Sequence, residues 1–320
     1  MTVLVTGAFG NVGRYTVDAL LETGAEVRAM AHEHDDAHRW RNHGVEIVRA
    51  DLRTPETLRA AVRGAQVVIH LAYIIPPLAL EQPEAARRVN VDGTRNLIEA
   101  IKAEPKPARL LFTSSLDVFG KTGHLPPPRR ITDPVVATDC YTEHKLAGEA
   151  MVKDSGLVWS ILRLADVPMI ALRKPEPVMF EIPLSQRIEA IHPLDCGLAI
   201  ARASLSEEAW GKTWLIGGGA KCQVTYGEYL ARFLSAMGMG GPLPDQAFTT
   251  EPYCTDWLDT TDSERAFRYQ RHGFDDIVRD VQALLGWRKP FARLARPFVR
   301  RQMLAMSPYL KASREPPGAV

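Results

Sequence analysis

Thr2-Val3-Leu4-Val5-Thr6-Gly7-Ala8-Phe9-Gly10-Asn11-Val12-Gly13 opens the chain, and its reading decides the fold. The run Thr2 to Val5 has strand length and strand composition, three glycines follow at intervals of three, and Val17, Leu20 and Leu21 then recur at helical spacing. Gly7 permits a tight turn, Gly10 lets the main chain approach a pyrophosphate, and Gly13 lets the helix pack closely on the strand. The helix N-terminus then presents its free N–H groups to an anion. Placement between a strand and a helix separates this motif from a glycine-rich loop that only reverses the chain.

Outward from this start, apolar runs at Val27 to Ala31, Val45 to Val48, Val67 to Leu71, Leu110 to Thr113 and Trp159 to Leu162 alternate with helical segments. Such alternation predicts an α/β fold, a doubly wound parallel (Rossmann) sheet covered on both faces. Past residue 163 the alternation fades, and helices are expected at Pro193 to Ser206, Tyr226 to Met237 and Phe274 to Leu285 in a small C-terminal substrate lobe. We therefore expect a dinucleotide-binding domain over 1–163, a substrate-binding lobe interleaved with the sheet over 164–290, and a basic amphipathic tail over 291–320. The proline-rich segment Lys121 to Ala137, with Arg129 and Arg130, reads as a surface loop over the site or as a rigid connector.

A second motif, Tyr141-Thr142-Glu143-His144-Lys145, is common enough by chance to need support from its surroundings. Positions four apart share a helix face, so Lys145 lies beside Tyr141, and Ala147, Ala150, Met151 and Val152 are expected to pack. Bringing a tyrosine from a pKa of ~10 to about 7 requires roughly 4 kcal/mol in favour of the phenolate. One ammonium at about 4 Å and an effective dielectric of about 20 contributes that much. The alternative is an exposed helix whose Tyr and Lys do nothing.

With these motifs the chain resembles the short-chain dehydrogenase/reductase superfamily, in its extended or atypical branch of NAD-dependent epimerase/dehydratase-like proteins. The likeness also takes in Ala50-Asp51-Leu52, His70-Leu71-Ala72, Val89-Asn90-Val91-Asp92-Gly93-Thr94-Arg95-Asn96-Leu97, Ser114-Ser115-Leu116-Asp117-Val118-Phe119-Gly120 and Ile191-His192-Pro193-Leu194-Asp195. The resemblance implies that Tyr141 is the general acid/base, that Lys145 holds the cofactor ribose and lowers the tyrosine pKa, and that Ser115 hydrogen-bonds the substrate oxygen. Asn90 would position the proton-relay region, or be a buried helix-end amide. Asp51 and Leu52 would flank the adenine, and Leu71, Ala72 and Tyr73 would lie along the cofactor. Asp117, two residues after Ser115, stands where dehydratases carry an acid, or is a surface loop acid. The resemblance further implies a homodimer through helices near Glu81 to Ala103 and Thr142 to Ser155.

The choice of nicotinamide cofactor rests on the end of the second strand, where an acid would bond the ribose 2′-hydroxyl and a base would accept a 2′-phosphate. Ala31 stands at that position, and His32 and Arg14 are available to a phosphate, which tilts the expectation to NADP over NAD. Glu33, Asp35 and Asp36 lie close enough to reverse it. Two departures from the nucleotide-sugar branch, Leu164-Ala165-Asp166-Val167-Pro168 after Arg163 and Arg187 five residues before His192, favour a small, largely apolar carbonyl or alcohol as substrate. A nucleotide-sugar epimerase or dehydratase is the alternative. A non-catalytic NAD(P)-sensing regulator is the third reading.

A net charge of +1 predicts no nucleic-acid footprint. The four cysteines, Cys140, Cys196, Cys222 and Cys254, lack Cys-x-x-Cys spacing and read as reduced thiols of a cytoplasmic protein, with Cys140 a candidate for the pocket wall. No leader, membrane span or metal site is expected, and His144 and His192 read as packed or solvent-facing. The tail from Arg288 to Arg314 carries eight Lys/Arg and no acid, interleaved with Phe291, Leu294, Phe298, Val299, Met303 and Met306. A helix docked on the chain's own surface and interrupted at Pro297 is the expectation, ahead of a membrane-surface or acidic-partner role.

Overall fold

A computed structural model describes residues 1–312 except 34, 36–38, 41 and 173, with the backbone alone at 311–312. The strands are β1 (Thr2–Thr6), β2 (Glu26–Ala31), β3 (Glu46–Arg49), β4 (Val67–His70), β5 (Arg109–Ser115), β6 (Trp159–Leu164), β7 (Arg187–Glu189), β8 (Lys212–Ile216) and β9 (Gln223–Thr225). Seven of them form one parallel sheet in the order β3-β2-β1-β4-β5-β6-β8. The order in which strands are added reverses between the parallel β1 and β4, which opens a crevice beyond their carboxyl ends, the place where such sheets bind ligands.

Alternating side chains divide the core between the two faces. Val3, Val5, Val27, Ile69 and Leu111 pack on one face, and Leu4, Met30, Val68, Leu110 and Phe112 on the other. Burial on both faces is why these strands are near-continuous apolar runs rather than alternating ones. Helices Asn11–Glu22 and Pro193–Leu205 cover the first face side by side. A Cβ at Gly197 would stand 2.5 Å from the Tyr15 carbonyl, so the close approach of these two helices requires glycine.

β8 is a strand that the alternation did not disclose, because only Trp214-Leu215-Ile216 of it is buried. The stretch after residue 163 thus contributes to the sheet as well as to the lobe. β7 and β9 pair antiparallel, and an isolated bridge between Asp166 and Ala190 ties them to the end of β6. Beyond them Phe180, Leu234, Phe248, Phe274 and Ile277 form the core of the lobe, whose helices Tyr226–Ala236 and Phe274–Ala283 end one or two residues before their expected limits.

Two expectations are corrected here. Helix Lys289–Ala305 runs through Pro297 without interruption. Arg293, whose carbonyl lacks an N–H partner four residues on, and Pro297 are both exposed, so water can bond that carbonyl. In the segment Lys121 to Ala137, Arg129 is buried rather than on the surface. It pairs with Asp256 at 3.2 Å, and its backbone is laced to Trp257 and Asp259. The segment is a connector fastened to the lobe.

Candidate active site

At the glycine turn, Gly7 has φ +66°, and the Gly10 N–H donates to the Gly7 carbonyl at 3.0 Å. A Cβ at Gly7 would meet the Ala72 nitrogen at 2.7 Å, and one at Gly13 would meet the Gly7 carbonyl oxygen at 2.0 Å. The turn is therefore pressed between its own helix and the end of β4, where the Thr6 hydroxyl accepts the N–H groups of Leu71 and Ala72. Helix Asn11–Glu22 starts at Gly10 with no side-chain cap and no acid in its first turn. Its first N–H groups are left for an anion.

The cradle suits a dinucleotide in a second respect. Arg14 is held by the Asn11 Oδ1 and the Tyr15 hydroxyl, and its buried Nε has no hydrogen-bond partner. The Asn11 amide also donates to the Val167 carbonyl at 3.2 Å, which joins the turn to the wall after β6. Phe9 tilts against Trp40, 5.1 Å between ring centres, and so packs on the protein beside the turn.

Past the ends of β4, β5 and β6 lies a cavity of about 380 Å³ whose wall contains Asn11, Val12, Leu71, Tyr73, Ser115, Asp117, Tyr141 and Lys145. Ser115, the last residue of β5, caps the short helical turn Leu116–Phe119 by accepting the Asp117 N–H at 3.3 Å. Tyr141 and Lys145 come from helix Cys140–Lys153, started by a capping box in which Asp139 accepts from Thr142. Its buried face is Tyr141, Thr142, His144, Lys145, Gly148, Glu149 and Val152, whereas Ala150 is exposed, contrary to expectation. Gly148 sets the depth, since a Cβ there would meet the Phe112 ring at 2.6 Å.

Lys145 Nζ donates to the Thr113 carbonyl at 2.8 Å and rests on the Tyr73 ring, 3.6 Å from its centre. The Tyr73 hydroxyl in turn donates to the His144 carbonyl at 2.7 Å, and its ring meets Tyr141 edge-on. Burial pushes the Lys145 ammonium down to about 7, opposed by the charges of Asp117 and Glu149. Burial also raises the Tyr141 phenol, reinforced by Asp117 and opposed by a hydrogen bond from Ser115. The lowering expected from the helical spacing is thus outweighed in the protein by itself. Nζ stands 5.7 Å from the Tyr141 ring centre, and desolvation acts on both groups. Asp117, pushed up to about 7 by burial, is a cavity acid and not a surface one.

The remaining expected residues fall outside this cavity. Asn90 is fully buried in a π-helical turn, Arg88–Asp92, and clamps the Ile74 backbone through both its amide atoms at 2.7 and 2.8 Å. It positions the Tyr73–Ile75 wall and does not touch the cavity. Leu52 is a core residue, packed where a Cβ at Gly93 would meet it at 2.7 Å. Asp51 is ion-paired with Arg53 and stands 3.6 Å from His32, at the exposed ends of β2 and β3, where Arg49 also donates to the His32 and Glu33 carbonyls. Asp35 accepts the His32 N–H at 2.6 Å, and Asp36 lies outside the described residues. Cys140 donates to the Ala79 carbonyl instead of lining the cavity, and all four cysteines are free thiols. His144 is buried, and His192 caps the helix that follows it.

Sequence reasoning missed the ladder behind Lys145. Glu149, one helical turn further on, accepts from two of the three Arg163 guanidinium nitrogens at 2.9 and 2.8 Å, and this pairing holds its carboxyl low against burial. An acid four residues after the lysine was the available signal. Tyr253, Thr255, Ile182 and Ile188 close the cavity from the lobe, and no local motif marks them. Among the described residues no helix is long and apolar enough to cross a membrane.

Comparison with known proteins agrees with this geometry. A ceramide reductase from Caulobacter vibrioides is 41% identical over 115 residues, 36% of this chain and 34% of that protein. A D-erythronate dehydrogenase from Cupriavidus necator is 30% identical over 197 residues, 55% of this chain and 57% of that protein. The chain thus spans between a third and three-fifths of the length of these relatives. The structure of a UDP-glucose-4-epimerase from Stenotrophomonas maltophila, with bound NAD and formylated UDP-arabinopyranose, superposes with a TM-score of 0.74 at 20% identity. The match covers 92% of this chain and all of that one, a likeness of fold. Residues 3–167, just over half of the sequence, match the family model for these enzymes, and the chain belongs to the NAD-dependent epimerase/dehydratase family.

Proposed function

We propose that the chain is an NAD(P)-dependent oxidoreductase that moves a hydride between a nicotinamide cofactor and a small, largely apolar carbonyl or alcohol. The observation that carries this reading is the convergence of Ser115, Tyr141 and Lys145 in one cavity beyond the strand ends, whose wall also contains the apolar Ile75, Leu116, Leu164, Val167, Ile182 and Ile188 beside the polar Asn11, Asp117, Asp166 and Thr255. Among the described residues that line it, Lys145 is the one cation. Arg187 is spent on Asp256 and on the carbonyls of Thr122, Gly123 and Leu125, so it is not free to clamp a diphosphate.

A nicotinamide, when bound, would supply the hydride to a carbonyl carbon or accept one from an alcohol. Tyr141, a phenol protonated at neutral pH, gives its proton to the oxygen as the alkoxide forms, and Ser115 hydrogen-bonds the same oxygen. Lys145 is placed to hold the ribose, and its ammonium supports the phenolate left behind. This protonation state suits reduction. NADP is the cofactor we favour over NAD, on Ala31 at the end of β2 followed by His32.

A dehydratase or epimerase reading draws on one observation, the raised Asp117 carboxyl beside Ser115, which is able to give up a proton near neutral pH. Calorimetric titration with UDP and dTDP separates the two, because tight binding would displace the small-substrate reading. For the reductase, purified protein is assayed with NADPH and NADH against a panel of aldehydes and ketones. Tyr141→Phe is expected to lose about 10³-fold in turnover while cofactor affinity stays within a factor of about three. Undiminished turnover in that variant would remove Tyr141 from the reaction. An absence of turnover across the panel, with cofactor-dependent capture of another protein, would favour the regulator.

A further inference from the structure

Helix Lys289–Ala305 has two apolar stripes, and only one of them is covered. Val299 and Met303 pack on the lobe core, while Arg300 donates to the carbonyls of Met239, Gly241 and Pro242 and Ser307 to that of Ala247. These contacts fix which way the helix faces. Trp287, Phe291, Leu294 and Phe298, spaced four, three and four residues apart, form the other stripe and are 75, 63, 82 and 65% exposed. Trp287 and Phe291 meet edge-on, 5.9 Å between ring centres, so the stripe is a continuous aromatic and aliphatic ridge. Arg288, Lys289, Arg293, Arg296 and Arg301 flank it, and the segment contains no acid.

Beneath the helix lies a second cavity of about 410 Å³, walled by Ala292, Val299 and Met303 of the helix and by Met179, Leu230, Leu234 and Met237 of the lobe. Exposed Leu172 and Val178 stand on its wall, and Ile182 belongs both to this cavity and to the catalytic one.

We propose that residues 286–305 seat the protein on anionic lipid bilayers, with Trp287, Phe291, Leu294 and Phe298 among the acyl chains and the flanking arginines and lysine against lipid phosphates. A ridge of Trp, Phe and Leu beside an all-basic flank is complementary to an anionic interface, where aromatic rings sit at headgroup depth. A second copy of the chain would bring the same cations against each other, so self-association through this ridge is disfavoured by charge. The inference stands apart from the redox reading, since it is measured by binding alone.

The full chain is sedimented with sucrose-loaded vesicles of phosphatidylcholine containing about 30 mol% phosphatidylglycerol, and with vesicles of phosphatidylcholine alone. Binding to the anionic vesicles at least about tenfold tighter than to the neutral ones, and weakened by high salt, is expected. The triple variant Phe291→Ser, Leu294→Ser, Phe298→Ser should lose that binding with its melting temperature unchanged, because the three side chains are exposed. Arg293→Glu with Arg301→Glu should remove the preference for anionic lipid. Failure to bind, equal binding by the triple variant, equal affinity for both vesicles, or a dimer that the triple variant dissociates would each overturn the proposal.

Discussion

The two cavities that meet at Ile182 are built from different kinds of sequence. Around Tyr141 the wall is made of strand ends and one helix face, and each functional group is fixed by the backbone: Ser115 by the Asp117 N–H, Lys145 by the Thr113 carbonyl, Tyr73 by the His144 carbonyl. Beneath the tail helix the wall is side chains alone, including the flexible Met179, Met237, Met239 and Met303. The first arrangement holds donors and acceptors to a fixed geometry, which catalysis needs. The second can repack around hydrocarbon of varying shape.

The sharpest break of this contrast is at the glycine turn, where the backbone itself makes the site. Gly13→Ala places a Cβ 2.0 Å from the Gly7 carbonyl oxygen, with backbone on both sides and nothing flexible to yield. A loss of about 3 kcal/mol in stability is expected from denaturant unfolding, together with the loss of cofactor binding. Gly10→Ala is the informative partner, since its Cβ finds only the Gly7 carbonyl oxygen, at 3.2 Å. That variant should keep its unfolding midpoint within about 0.5 kcal/mol and still bind cofactor at least about tenfold more weakly, because the added methyl stands where a pyrophosphate approaches. Equal effects of the two changes on stability would mean that the motif serves packing alone.

A smaller effect is expected at the junction. Ile182→Trp puts an indole at the one partly buried side chain that lines both cavities and leaves Ser115, Tyr141 and Lys145 unchanged. Under the proposed reductase activity, KM for a long aliphatic aldehyde should rise about tenfold while that for a short one changes less than twofold, since only the long substrate extends past the junction. Equal losses for both would show that the second cavity takes no part in substrate binding.

How far the sequence disclosed each region follows from the same contrast. Gly7 and Gly13 are legible because φ +66° at the first and close approaches of 2.7 and 2.0 Å at the two admit no larger residue, and Gly10 is legible from its place between them. Ser115, Tyr141 and Lys145 are legible because one strand end and one helical turn set their spacing. What the sequence hid depends on distant partners. Asn90 carries a motif-like neighbourhood, yet its amide is used to clamp Ile74, 16 residues away. Tyr253 and Thr255 reach the cavity from the lobe only after the sheet is complete. The electrostatics inverted for the same reason. Four residues of helical spacing argue for a lowered Tyr141 phenol, but Tyr73, Ile74, Ala79 and Ala86, from the segment after β4, pack around it, and burial dominates.

That burial leaves a signature in the pH dependence of folding. Asp117 goes from 3.8 to about 7, so the folded chain retains a proton that the unfolded chain has released, and stability falls as pH rises between about 4 and 7. Lys145 goes from 10.5 to about 7, so between about 7 and 10 the unfolded chain binds the extra proton, and stability recovers as pH rises. Together the two groups place a shallow minimum near neutrality. In Asp117→Asn the first slope should vanish, so the stability gap between variant and wild type is constant below about pH 4, grows in the variant's favour to about pH 7 and stays level above it. Asp117 is only half-buried and faces the cavity, where water screens part of its charge, so the growth should be about 1 kcal/mol. Chemical denaturation at about pH 4, 5.5, 7 and 8.5 measures it. A gap that keeps one value across this series would mean that Asp117 is as well solvated in the folded chain as in the unfolded one, and the closed, dry wall around Tyr141 would then have to be redrawn as an open one.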